Sequence, residues 1–131
     1  MIEQDIQKLI QADATSRGDR LFRNNVAEAW VGKFKGRSKN GTVTLENARP
    51  LHAGLCVGSS DLIGWTRTLI TPDMVGRIVA IFTADEVKTD IGLPSPEQIN
   101  FIQQARQAGA FAGIARSAED SKEISLGIIK D

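Results

Sequence analysis

The chain holds one cysteine and one histidine in 131 residues. Cys56 alone excludes an internal disulfide, and with His52 it is too little for a Cys/His zinc cage. That usage fits a reducing, intracellular, cytoplasmic setting. A lone His in a stretch with Pro50, Leu51 and Gly54 is also poor material for a Ser-His-Asp triad. Net charge is missing as well: sixteen Lys plus Arg balance sixteen Asp plus Glu. No overall field therefore marks nucleic acid or a membrane as a partner, and any such site must arise from local charge. There is no run of about 18 apolar residues that could span a membrane, no signal-peptide pattern and no internal repeat. What is left, 14.2 kDa with 41% hydrophobic and 24% charged residues, has the size and composition of a single soluble domain over residues 1–131. If the chain is an enzyme, carboxylates and lysines must carry its chemistry.

Residues 2–16 place Ile2, Ile6, Leu9 and Ile10 on one stripe at helical spacing, with Gly18 as a stop. Two alternating segments, 20–35 and 42–47, flank Asn40-Gly41, a strong hairpin signal. Residues 48–60, with Pro50, Gly54 and Gly58, have no sustained period and are expected to form a loop or one short helical turn. Residues 61–67 and 75–88 look like two strands joined through Thr71-Pro72-Asp73, and so like antiparallel neighbours. Ser95, Pro96 and Gln98 then give the clearest helix start in the chain, closed by Gly109. Phe111 to Ala115 is a short apolar strand, followed by a helical turn over 118–123 and an apolar tail from Ile124 to Ile129. This order describes a small α/β or α+β domain.

The strand ending at Lys88 is apolar on both faces from Ile78 to Phe82 and then becomes charged. Alternation puts Glu86 and Lys88 on one side and Asp85 and Val87 on the other. An E-x-K alone is compatible with a strand that frays into solvated loop. If the strand beginning at Asp61 pairs with it around the Pro72 turn, however, Asp61, Glu86 and Lys88 converge at one edge of the sheet. Two carboxylates suit Mg²⁺, which takes one or two of them together with water and substrate phosphate. A neighbouring Lys suits a developing phosphate charge.

Three segments in order, G-S-S-D-L-I-G (58–64), A-D-E-V-K (84–88) and S-P-E-Q (95–98), resemble the virus-type replication-repair nuclease family, VRR-NUC, of the PD-(D/E)xK superfamily. The resemblance runs from residue 3 to about residue 120. It implies a restriction-endonuclease-like core, a mixed central sheet flanked by helices. It also implies metal binding by Asp61 and Glu86 helped by the Val87 carbonyl, a catalytic Lys88, a Gln98 that completes the site, and support from Glu3 in the first helix. The cofactor would be Mg²⁺ or Mn²⁺. The reaction would be endonucleolytic phosphodiester hydrolysis, with four-way (Holliday) junctions in phage or bacterial replication and repair as the substrate. Gln98 also has a purely structural reading, as the far member of a capping box with Ser95, and Glu3 one as a solvated residue favoured by the helix dipole.

Local basic charge supplies a nucleic-acid signal. Lys33, Lys35, Arg37 and Lys39 recur at every second residue, so one extended arm would show all four on one face to a run of phosphates. An edge strand guarded by lysines would look the same. Arg23 on the preceding strand could add a phosphate contact. Trp30, Phe34 and Trp65 are expected to be core or packing residues and not stacking platforms for bases, and His52 and Cys56 to serve packing or local hydrogen bonds. Stand-alone chains of this kind are expected to act as homodimers on branched DNA, with no membrane partner. The rival class is a non-catalytic DNA-binding or scaffolding module of the same fold, which would have no need of paired carboxylates. A flap- or sequence-directed nuclease is the other alternative.

Overall fold

A computed structural model describes residues 2–131, with three helices and three two-stranded sheets. The elements are α1 (Glu3–Ser16), β1 (Arg20–Arg23), β2 (Ala27–Arg37), β3 (Val43–Ala53), β4 (Leu62–Trp65), β5 (Thr83–Val87), α2 (Pro96–Gln107), β6 (Phe111–Ala115) and α3 (Ala118–Ile124). The sheets pair β1 with β4, β2 with β3, and β5 with β6. The protein is thus mixed α and β, but its strands form small separate pairs where one central sheet was expected. The chain divides into two compact units, residues 1–21 with 64–131, and residues 22–63. Among the described residues no helix is long and apolar enough to cross a membrane.

The first unit is organised by a β5-α2-β6 crossover, the connection that parallel strands require. β6 is an unbroken small apolar run, Phe-Ala-Gly-Ile-Ala, because both its faces are covered. On one face Ala112 and Ile114 join Ile102 and Ala105 of α2 and Trp65 in the core. Phe82 and Phe101 meet the Trp65 ring edge-on, at centroid distances of 5.1 and 6.0 Å. On the other face Gly113 lies against Ile124 of α3 and the Lys130 carbonyl, at distances that leave no room for a side chain.

Residues 75–88 were expected to be one strand paired with residues 61–67. Only Thr83–Val87 is strand, its partner is β6, and β4 pairs with β1 instead. The ladder partner sets the length. β6 begins at Phe111, which faces Thr83, so residues upstream of Phe82 have no neighbour to bond. Ile78 is left fully exposed, and Pro72–Met74 forms a 3₁₀ turn. The antiparallel pairing that was to bring Asp61 beside Glu86 is therefore absent.

The second unit is a long β2-β3 hairpin closed by the turn expected at Asn40-Gly41. Gly41 supplies the positive φ of 88°, and the Asn40 side chain accepts the Thr42 N–H at 3.2 Å. β3 runs on to Ala53 through the stretch expected to be loop, because Pro50 is tolerated in a strand with one open edge. No residue from 22 to 63 is buried. Trp30 and Phe34 are 67% and 63% exposed, so the core half of their expected core-or-packing role is corrected. Trp65 alone of the three aromatics packs in a core.

Candidate functional site

Glu86, Lys88 and Gln98 come together in the first unit. Ala84 and Glu86 point to the α2 side of β5, each level with a core residue of β6: Ala84 with Ala112, Glu86 with Ile114. Asp85 points the other way and accepts a hydrogen bond from the Ser121 hydroxyl on α3. The expected division of faces along A-D-E-V-K is what the strand shows.

Ser95 caps α2. Its hydroxyl accepts the Gln98 N–H at 3.1 Å, and Gln98 Oε1 accepts the Ser95 N–H at 2.8 Å. The other end of the same amide, Nε2, donates to Glu86 Oε1 at 2.7 Å. One amide thus closes the capping box and anchors the Glu86 carboxylate. Lys88 Nζ lies 3.0 Å from the same Glu86 oxygen, with the Lys88 and Glu86 side chains only 20% and 26% exposed. Partial burial strengthens such charge-assisted bonds relative to a surface pair. The Gln98 and Lys88 contacts both use Oε1, leaving Oε2 as the oxygen available to a ligand.

The loop from Lys88 to Ser95 is tied down from β6 and the turn after it. The Lys88 N–H donates to the Ala115 carbonyl at 3.1 Å. The Arg116 guanidinium donates to the Gly92 carbonyl at 2.9 Å and also to that of Thr89. Arg116 is in turn fixed through its own N–H, which donates to Asp120 Oδ2 at 2.9 Å. Its role was missed in the sequence, although Ser117-x-x-Asp120 is a visible cap signal whose Ser hydroxyl accepts the Asp120 N–H at 3.1 Å. The Arg116 N–H, then Lys130, hold the Asp120 carboxyl below its ordinary value. Glu123, then Asp120, raise the Lys130 ammonium above its own.

None of the contacts that define this cluster involves Asp61 or Glu3. Glu3 is exposed in the first turn of α1, and Asp61 is exposed in the second unit, its carbonyl accepting the Asn24 N–H at 2.8 Å. The Val87 side chain is exposed. Among the described residues no group of three or more His, Cys, Asp or Glu side chains is placed to hold a metal ion. A hard cation at this cluster would depend on Glu86 Oε2, main-chain carbonyls, water and substrate oxygens, a set within the habits of Mg²⁺.

The basic residues of the hairpin do not form the expected single-faced comb. Lys39 lies in the turn beyond the end of β2. Irregularities between Val31 and Lys33 and between Phe34 and Gly36 break the alternation. In the first, β3 carries the extra residue, next to Asn47 with its positive φ of 52°; in the second, Lys35 is the extra residue of β2. Lys33 stands opposite Glu46, and Lys35 forms an ion pair with it. Arg37 ends the strand, and Arg23 ends β1. His52 Nδ1 lies 3.5 Å from Glu28 Oε1 across the hairpin. Cys56 lies in a loop organised by Asn24, which accepts the Leu55 N–H at 2.9 Å and donates to Ser59 Oγ at 2.7 Å.

Comparison of the chain with family models, with curated proteins and with solved structures gives no match in any of the three.

Proposed function

We propose that the protein is a divalent-metal-dependent endodeoxyribonuclease whose chemistry centres on Glu86, Lys88 and Gln98. The observation that carries this reading is the half-buried triangle at the end of β5. A carboxylate is held by an amide that cannot swing away without breaking one arm of the α2 capping box, with an ammonium on the same carboxylate oxygen. Glu86 and the Val87 carbonyl would hold Mg²⁺ or Mn²⁺, which when bound acidifies water and offsets charge on a phosphodiester. Lys88, an ammonium with three donors of which one faces Glu86, can hold a hydrolytic water or a non-bridging phosphate oxygen with the others. Gln98 fixes the carboxylate rotamer and leaves Oε2 free. The parallel β5-α2-β6 unit with E-x-K on its first strand supports a restriction-endonuclease-like core. The basic hairpin supports DNA as the substrate, and the exposed apolar stretch upstream of β5 supports a homodimer working on branched, four-way DNA.

The test is incubation with linear, flapped and four-way-junction DNA with and without Mg²⁺. Metal-dependent junction cleavage is expected, reduced about 10²–10⁴-fold in Lys88→Ala and lost in Glu86→Gln while DNA binding survives. Asp61→Asn tests separately the metal role that the resemblance implies for that residue. Full activity in Glu86→Gln would sink the assignment, and a monomer in light scattering would sink the dimer.

A further inference from the structure

The first unit contains a second polar concavity that the hydrolytic cluster does not use. It has a volume of about 340 Å³ and is lined by Asp19, Arg20, Trp65, Arg67, Gln104 and Gln107 among others. That volume lies in the range of small-molecule sites. The lining carries two guanidinium groups and one carboxylate, and the carboxylate is already spent. Asp19 is 7% exposed, its Oδ1 accepts the Arg67 N–H at 2.9 Å, and its Oδ2 lies 3.5 Å from Arg17 Nε. Among the described residues the side chains of Arg20 and Arg67 have no acid to pair with. The Arg67 guanidinium lies over Gly18, where a Cβ would come within 3.3 Å of Nη1. Gly18 suits the positive φ of 84° that follows α1, and a Cβ there would press on the guanidinium by a few tenths of an ångström. Gln104 and Gln107 are three residues apart and so share a face of α2, adding neutral donors and acceptors to the rim.

Two unpaired guanidiniums beside two free amides and an indole suit a phosphate attached to a polar, partly flat body. We infer that this cavity binds the phosphate of a nucleotide unit, with Arg20 and Arg67 on the phosphate and Gln104 and Gln107 on the sugar or base edge. The inference deepens the proposed function, because it gives the nuclease a second hold on its strand, but the cavity's binding does not require hydrolysis. Along α2, Gln104 and Gln107 lie roughly 9 and 14 Å beyond Gln98. Projected on the helix axis of B-form DNA, that separation corresponds to about three to four phosphates of one strand.

Trp65 reports on the cavity directly. In a Trp30→Phe protein it is the only remaining tryptophan, and its fluorescence is titrated with thymidine 5′-monophosphate, inorganic phosphate, the dinucleoside monophosphate dTpdT and unphosphorylated thymidine. Side-chain amide shifts of Gln104 and Gln107 are followed in parallel by NMR. Saturable binding of the monophosphate is expected, with Kd about 1 mM or tighter. Arg67→Gln and Arg20→Gln should each weaken it about tenfold or more, and Glu86→Gln should leave it unchanged. Tighter binding of dTpdT than of inorganic phosphate assigns the site to a nucleic-acid strand, and the reverse order assigns it to a free phosphate compound. Equal binding of thymidine and its monophosphate, indifference to both arginine variants, or silence of both probes would overturn the inference. Absence of DNA cleavage with intact monophosphate binding would overturn the nuclease reading alone.

Discussion

The two units of this chain solve the problem of stability in opposite ways. In the first, β6 is buried on both faces, and its Ala112 and Ile114 join Trp65, Ile102 and Ala105 in a core. In the second, not one residue is buried, and an eleven-residue strand is held to another by its ladder and turn. Hairpins of that kind are marginal alone. The group suited to bond-breaking, which needs fixed distances, sits on the packed unit. The cations suited to following a flexible polyanion sit mostly on the unpacked one. Rigid placement and adaptable charge are therefore divided between separate stretches of sequence.

Substitutions should expose this division most strongly in stability. Ile102→Ala, which empties a site in the core, is expected to cost about 2–5 kcal/mol in denaturant unfolding. Trp30→Ala, on the exposed hairpin face, should change it by about 0.5 kcal/mol or less. Comparable losses from both would show that the hairpin has a hidden core. Next in size is Gln98→Ala, which removes one arm of the capping box and a bond to a charged group. A loss of about 1–3 kcal/mol in stability is expected, read as a lower Tm, and cleavage should fall with it. A Tm unchanged from the parent would separate the helix cap from the site.

A smaller effect should appear on the hairpin. Glu46 faces Lys33 and pairs with Lys35, so Glu46→Gln should free a cation and steepen the salt dependence of DNA binding by up to about one unit of slope. A shallower slope would return these lysines to the part of an aggregation guard. The smallest effect concerns pH and belongs to the packed unit. Folding lowers the Asp120 pKa from 3.8, so the native state binds fewer protons than the unfolded one in that region. Its contribution is complete above about pH 4 and fades as the pH falls through the folded value. Folding raises the Lys130 pKa from 10.5, so that contribution is complete below 10.5 and fades as the pH rises through the folded value. Thermal melts should show a plateau between the two limbs, and Asp120→Asn should flatten part of the acid limb.

Much of the packed unit was legible because its signals are local. Ser95-Pro96 with Gln98 marks a helix start by chemistry that needs no partner, and the alternation along A-D-E-V-K assigns Asp85 and Glu86 to opposite faces wherever the strand lies. The pairing of strands was not legible. Ile78 to Phe82 reads as a buried strand by composition, yet strand length depends on the partner, and Phe111 to Ala115 offers only five positions. The comb from Lys33 to Lys39 failed as a single face for a related reason. Period-two reasoning assumes an unbroken pleat, and two irregularities interrupt it. Arg116 escaped notice because its importance rests on carbonyls 24 and 27 residues away in sequence.

Arg116 also makes the neighbourhood of Lys88 respond to events elsewhere. Its main chain hangs from the Asp120 carboxylate in α3, while its guanidinium, charged at every accessible pH, hangs on to the backbone just past Lys88. One residue is thereby a strut between a short surface helix and the charged end of a strand. Any change that shifts the first turn of α3, such as loss of the Ser117 cap, moves that strut at its base and is felt at its tip. The backbone that follows Lys88 is thus tethered from a helix remote from it in sequence.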